Sequence, residues 1–282
     1  MRVAAITMAG MDLTDIGRYS EHLERCLAKT AAELAVLPAH SSFILWHNMK
    51  EKERGSFTGA YTRYLRESSC WEDEYLELHS ALAKKKNIYL IAGTAKEFEG
   101  NKLYHTSYCF NPEGKLCCRQ RQTHLNSFQR QCGFSRGHEI SIFKADAIPA
   151  SLIVDNDSRH PETGRIAVCS GADLLIHCGA LDIIEGTWRQ LAGIWSQVQQ
   201  NQCWGIEAQL QSTTDDMLVF GGFSAVLAPC EITTDLSGFF VTSNPGDLVV
   251  SANLNYMNLN HIREKYPLLK LLNRKAFTVL AK

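Results

Sequence analysis

The chain has 282 residues, 45% of them hydrophobic and 21% charged, with a formal net charge of -1. That composition can fill a large core, and its near-neutral balance provides no basic field for a polyanion, so nucleic acid is not an expected partner. No apolar run approaches the roughly 18 residues that span a bilayer, and MRVAAITMAGMD reaches Asp12 before a signal-peptide core can form, so no membrane association is expected. The ten cysteines are scattered through apolar segments (LERCLAK, IAVCSGA, LIHCGA, VLAPCEI) rather than set out as a disulfide framework. A reducing, cytoplasmic location follows as the expectation. Cys117 and Cys118 are adjacent, which makes a mutual bridge strained.

In chain order, residues 3–9 read as a buried strand, 15–33 as an amphipathic helix with Leu23, Cys26 and Leu27 on one stripe, and 34–39 as the next strand. Helical spacing runs over 71–86, a strand over 87–95, and 103–122 forms a hairpin turned at Asn111-Pro112-Glu113-Gly114. A strand over 150–155 leads to a helix over 161–171, a strand over 172–180 and a helix over 187–202. CWGIEAQLQ, FSAVLAP and GDLVVSANLN follow as strands. KEKERG (50–55) and EFEGNK (97–102) read as surface loops. Apolar strands alternating with helices argue for covered sheets. No linker, repeat or charge block divides the chain, so one domain over 1–282 is expected, with a C-terminal arm from about 262.

Several segments in order resemble the nitrilase superfamily of carbon–nitrogen hydrolases. ELAVLPA (33–39) is similar to the family's strand ending in Leu-Pro-Glu, RQTHL (121–125) to its Arg-Lys-x-His-Leu, and VDNDSRHPETGR (154–165) to its Ile-Cys-x-Asp-x-Arg-x-Pro-Glu elbow. FSRG (134–137) falls where the family has a Phe or Gly, and GADLLIH (171–177) resembles its Gly-Ala-Asp strand. SQVQQNQCW (196–204) is similar to Ala-Arg-Ala-x-Glu-Asn, FGGFSAVLAPC (220–230) to Gly-Gly-Ser with a later Pro, and 248–269 to the closing strand, helix and Arg. The resemblance implies a four-layer αββα sandwich, dimeric, with its site at strand ends. It also implies a Cys nucleophile, a Glu base, a Lys and a second Glu, and in chain order these fall on Asp155, Ala39, Gln122 and Gln129.

Amide attack by a thiolate needs a nucleophile, a proton shuttle and oxyanion donors. Ala39 accepts no proton, Gln122 lacks the cation, and Asp155 attacking an amide would give a mixed anhydride from a poor leaving group. No residue is therefore assigned a catalytic role by the family mechanism. The leading expectation is a nitrilase-fold pseudoenzyme, holding a small polar ligand or serving as a regulatory or scaffold subunit. The alternative is an active carbon–nitrogen hydrolase with a relocated constellation around Asp155, Cys178 or His40.

The expected pocket comprises Ala39, His40, Gln122, His124, Gln129, Asp155, Asn156, His177 and Cys178. Adjacent strand residues point to opposite faces, so His177 is poorly placed as a base for Cys178, which reads as a core or pocket-wall residue. His124 reads as a structural hydrogen-bonding residue. Asp155 and Asp157 are too few to specify a hard-cation loop, no histidine falls into a zinc spacing, and no metal or cofactor is expected. The plainer reading of this segment is a polar strand-to-helix turn with an aspartate cap near Pro161. A buried carboxylate at Asp155 would be solvated, protonated or paired with Arg159, Arg121 or Arg165. Gln197 and Gln200 stand where the family usually has Arg and Glu. The apolar tail 266–282 suits a homodimer interface or packing on its own subunit.

Overall fold

A computed structural model describes residues 1–8, 13–50, 57–67, 70–182, 186–211, 220–244, 246–273 and 275. The elements run β1 (Arg2–Ile6), α1 (Ile16–Thr30), β2 (Leu34–Val36), α2 (Ser41–Lys50), α3 (Phe57–Arg66), α4 (Cys70–Lys86), β3 (Tyr89–Glu99), β4 (Lys102–Phe110), β5 (Leu116–Arg121) and α5 (Ser127–Gln131). The second half contains β6 (Phe143–Ala145), β7 (Ile148–Val154), α6 (Pro161–Cys169), β8 (Leu174–Gly179), β9 (Leu181–Asp182), α7 (Gly186–Gln190), α8 (Ser196–Asn201) and β10 (Trp204–Gln209). It closes with β11 (Phe220–Gly221), β12 (Ala225–Leu227), β13 (Phe239–Thr242), β14 (Val249–Asn253) and α9 (Tyr256–Lys265).

Among the described residues the strands form two six-stranded mixed sheets, ordered β14-β1-β2-β3-β4-β5 and β13-β12-β10-β8-β7-β6, plus a small β9/β11 ribbon. Both faces of each sheet are covered, which explains strands that are apolar throughout instead of alternating. Val3, Ala5, Val36, Ile91, Leu152, Ile176 and Ile206 pack sheet against sheet. Tyr19, Leu23, Phe43 and Tyr75 cover the outer face of the first sheet, and Ala167, Val168, Ile194 and Val198 that of the second. The expected αββα order is thereby realised.

Most element boundaries lie within a few residues of the reading from sequence. Asp15 caps α1 by accepting the backbone N–H of Arg18 at 3.0 Å, as an N-cap aspartate should. Three segments depart. EFEGNK is a strand hairpin rather than a loop, because β3 continues through Glu99 and reverses at Gly100, where φ is +60°. The helix expected over 187–202 is broken: Leu191–Trp195 has π-helical pairing and Gly193 leaves helical geometry (φ -91°, ψ -127°). A side chain at Gly193 would crowd Ser158, whose Oγ is 3.3 Å from the ideal Cβ position, so the break brings this segment against the Asp155 turn. Helices α2, α3 and α5 were not foreseen, since each is too short or too apolar to show a clear period. Most of KEKERG, 51–55, lies outside the described residues, as do 276–282 of the tail.

The strand matched to Gly-Ala-Asp and the closing Arg meet in space. Arg263 on α9 bonds Asp173 and donates to the Gln202 carbonyl at 2.8 Å. This ties the last helix to the body alongside the buried Leu259 and Ile262.

Candidate active site

The carboxyl ends of parallel strands β2, β7, β8 and β10 converge on one cleft, the usual place for a site in sheets of this kind. Its cavity, about 320 Å³, is lined by His40, Gln129, Asp155, Arg159, His177 and Glu207, among others. Its floor is the turn after β7. Val154 still pairs with Cys178, but Asp155 turns into the left-handed region (φ +46°) and starts a 3₁₀ turn over Asp155–Arg159. An aspartate tolerates that conformation better than a branched residue, and the turn places its side chain at the head of the strand.

Of the alternatives for Asp155 (solvated, protonated or paired with an arginine), the arginine pair is not seen among the described residues, and an amide holds the carboxylate instead. Gln129 Nε2 donates to Asp155 Oδ2 at 2.9 Å. Arg121 instead pairs with Glu97 and Glu99, and Arg165 donates to the Gln200 carbonyl. Asp155 faces the cavity, so solvent screens its charge.

Behind Gln129 runs a chain of neutral polar groups. Gln129 Nε2 also donates to Gln122 Oε1 at 2.8 Å, and Gln122 Nε2 returns a bond to Gln129 Oε1 at 3.1 Å. The His105 Nδ1–H group donates to the same Gln122 oxygen at 2.7 Å, while the Thr94 hydroxyl lies 2.6 Å from Nε2. Thr94 Oγ1 accepts the backbone N–H of His40 at 2.7 Å. Burial holds both His40 and His105 below the usual imidazole range, and their rings stack at 4.8 Å. His105 and Thr94 were missed by the sequence reading. They lie on strands in mid-segment, and only the β3–β4 pairing brings them to the cleft.

A second polar set stands on the opposite side. His177 Nδ1 is 3.0 Å from Glu207 Oε1, and its Nε2 is 3.0 Å from the Asp155 carbonyl. Glu207 also accepts from Gln209 Nε2 at 2.7 Å and Gln190 Nε2 at 2.8 Å. Glu207 was likewise not anticipated. The signal available for it was a lone acid inside the apolar strand WGIEAQ, where a charge requires partners.

The remaining candidates separate cleanly. Ala39 is buried and bonds through its backbone to Gly179; its neighbour His40 reaches the cleft instead. Cys178 and His177 do point to opposite faces. Cys178 lies wholly in the inter-sheet core, where burial pushes its thiol up to about 12, so it is no relocated nucleophile. Asn156 lines the cleft and reaches the His124 carbonyl at 3.3 Å.

The segment is the polar strand-to-helix turn expected, but no aspartate caps the helix at Pro161, whose N-cap position is His160; Asp157 turns inward. It is buried and accepts the backbone N–H groups of Thr123 and His124, at 2.9 and 2.6 Å, together with the Thr123 hydroxyl. The hydrogen bond from His124 raises that ring above its ordinary range. With its oxygens committed inward, Asp157 cannot share a cation with Asp155. Gln197 supports the same turn, its Nε2 bonding the Ser158 carbonyl at 2.5 Å. His124, His160 and Glu162 bring ligand atoms within 4.8 Å of one another. The two rings stack at 3.9 Å and 11°, however, so a shared ion would require one of them to turn.

A two-sheet αββα sandwich with a polar cleft at its strand ends defines a hydrolase-like architecture of the nitrilase kind. The chain belongs to the carbon–nitrogen hydrolase family, whose sequence model matches residues 2–234. It is 28% identical over 216 residues to omega-amidase NIT2-B of Xenopus laevis, covering 73% of this chain and 75% of that one. It is 27% identical over 201 residues to human omega-amidase NIT2, covering 68% and 70%. Nit3 of Saccharomyces cerevisiae, a nitrilase-superfamily member, superposes with a TM-score of 0.77 at 22% identity over 97% and 96% of the two chains. A carbon–nitrogen hydrolase from Helicobacter pylori superposes with a TM-score of 0.79 at 18% identity over 100% and 98%.

These relationships overturn the pseudoenzyme expectation. That expectation treated four substituted positions as the loss of all chemistry, whereas the chain carries the hydrolase family along most of its length and its curated relatives are named amidases. No cysteine is among the described residues that line the cleft, whereas the acidic Asp155 and Glu207 are.

Proposed function

We propose that the protein is a hydrolase of carbon–nitrogen bonds acting on a terminal amide, with Asp155 as its general base. The observation that carries the reading is the Asp155 carboxylate at the floor of the cleft, oriented by Gln129 through one oxygen. Its other oxygen accepts no bond among the described residues, which leaves it able to take a proton from water. The water oxygen then attacks the amide carbon, and the proton held on Asp155 passes to the leaving nitrogen as the carbon–nitrogen bond breaks, giving a carboxylic acid and ammonia. Proton transfer of this kind contributes typically 10²–10⁴-fold. Direct attack by Asp155 on the amide is the poorer route, since it would form an anhydride.

The omega-amidase names of the relatives support a terminal amide as the scissile group. Arg159 and Arg189 line the cavity, and guanidinium groups there suit a substrate with a carboxylate or a developing oxyanion. A cavity of about 320 Å³ suits a small polar molecule. No described helix is long and apolar enough to cross a membrane. The scatter of the ten cysteines through apolar segments supports a reducing, cytoplasmic setting. The exposed Met257, Leu268 and Leu271 support a homodimer through the C-terminal segment.

The test is ammonia release from a panel of ω-amides by the wild-type protein and by Asp155→Asn. Turnover that falls about a hundredfold or more in the variant supports the reading. Turnover that survives the change would remove Asp155 from the mechanism.

A further inference from the structure

Away from the cleft, three cysteines cluster on the β4–β5 hairpin, at the border of the inter-sheet core. Cys109 on β4 pairs with Cys118 on β5, and Phe110 pairs with Leu116. Cys117 is therefore the extra residue of a bulge, which frees it from the strict alternation of the strand. The consequence is that Cys117 and Cys118 do not simply face opposite ways. Cys117 Sγ lies 3.4 Å from Cys109 Sγ and 3.3 Å from the Cys109 carbonyl oxygen. Cys117 is exposed and Cys109 is fully buried.

We propose that Cys117 and Cys109 form a reversible redox pair, in which the exposed thiol meets a hydroperoxide and the buried one resolves the product as a disulfide. Two observations support the division of roles. Of the two, only Cys117 is exposed and so open to a peroxide. The hydrogen bond between the two sulfurs also holds the Cys117 thiol below its ordinary range, whereas burial drives Cys109 well above its own. A low, accessible thiol beside a second cysteine is the arrangement expected of a peroxide-reactive site.

The chemistry balances. The Cys117 thiolate attacks the peroxide, an S–O bond forms, the O–O bond breaks and hydroxide leaves, so sulfur is oxidised to a sulfenic acid and the peroxide is reduced. The Cys109 sulfur then attacks that sulfur, S–S forms, S–O breaks, and the departing hydroxide takes the Cys109 proton as water. The sulfur atoms need to close from 3.4 Å to about 2.05 Å, a side-chain movement within one hairpin. A vicinal bridge between Cys117 and Cys118 would instead strain the chain.

The full-length protein is treated with a small excess of hydrogen peroxide, alkylated under denaturing conditions and digested with trypsin. The expected product is peptide 103–115 joined by a disulfide to peptide 116–119, with two of the ten thiols lost. Fragmentation should place the bond on Cys117, dithiothreitol should restore both thiols, and the link should be absent in Cys117→Ser, a change at an exposed position. In Cys109→Ser, a dimedone adduct should collect on Cys117. A link through Cys118, or a Cys109 thiol that remains fully alkylatable after Cys117 has been oxidised, would overturn the proposal.

Discussion

The Glu207 carboxylate lies 3.0 Å from Nδ1 of His177 in the wall of the cleft. The orientation of Gln190 is fixed because its Oε1 accepts the Phe223 N–H at 3.1 Å, so its Nε2 must be the atom facing Glu207. With Gln190 and Gln209 both donating to it, Glu207 acts as an acceptor only. His177 therefore donates at Nδ1, and it also faces an acceptor at Nε2, the Asp155 carbonyl. The pair fixes the turn that carries Asp155.

Replacing Glu207 with Gln sets an amide donor against the groups that Glu207 holds, Gln190, Gln209 and His177. We expect a stability loss of about 1–3 kcal/mol and a fall in turnover of roughly ten- to a hundredfold from a displaced Asp155. Chemical denaturation and ammonia release measure the two effects; an unchanged variant would show that the pair does not position the base.

Cys178→Ala separates the relocated-thiol mechanism from the carboxylate one. Because Cys178 lies in the core away from the cleft, turnover should stay within a few-fold of wild type, with a stability cost on the order of 1 kcal/mol. Abolished turnover in a folded Cys178→Ala protein would reinstate the thiol.

Asp157→Ala should destabilise more than most substitutions. It removes the buried acceptor of the part-buried backbone donors of Thr123 and His124, at a cost of about 3 kcal/mol. Thermal unfolding should show a lower midpoint, and Asp157→Asn should recover only part of it.

Acid should unfold the protein through its buried histidines. Burial lowers His79 from 6.5 to about 4 and also lowers His40 and His105. Since the folded values lie below the unfolded ones, the unfolded chain binds more protons as pH drops, and stability present above about pH 6.5 is lost on acidification. His79 alone accounts for about 3 kcal/mol between pH 6.5 and 4. Denaturation midpoints measured across that window should fall, with a shallower slope in His79→Gln.

Gly93→Ala should cost several kcal/mol. Gly93 has φ +64°, and a Cβ there would lie 2.2 Å from the Pro38 carbonyl oxygen. Calorimetry of the variant reads the loss, and activity should fall with it because Pro38 leads into His40 on the cleft wall.

The order of motifs around Leu37-Pro38-Ala39, His124 and the Asp155 elbow was legible in the chain, because local spacing and apolar runs follow directly from residue order. By itself the sequence determined the layered class, the elbow at Asp155, the opposite directions of His177 and Cys178, and the family. What it could not determine was which distant polar residues share a cleft. Glu207, His105 and Thr94 each sit within an apolar strand, and only sheet register brings them beside Asp155 or behind Gln129. Register and layer packing also decided that Asp155 is held by Gln129 rather than by an arginine, and that Asp157 bonds the Thr123–His124 backbone instead of capping a helix. Hydrogen-bond partners are set by distances across the fold, and those distances are set by tertiary packing, not by separation along the chain.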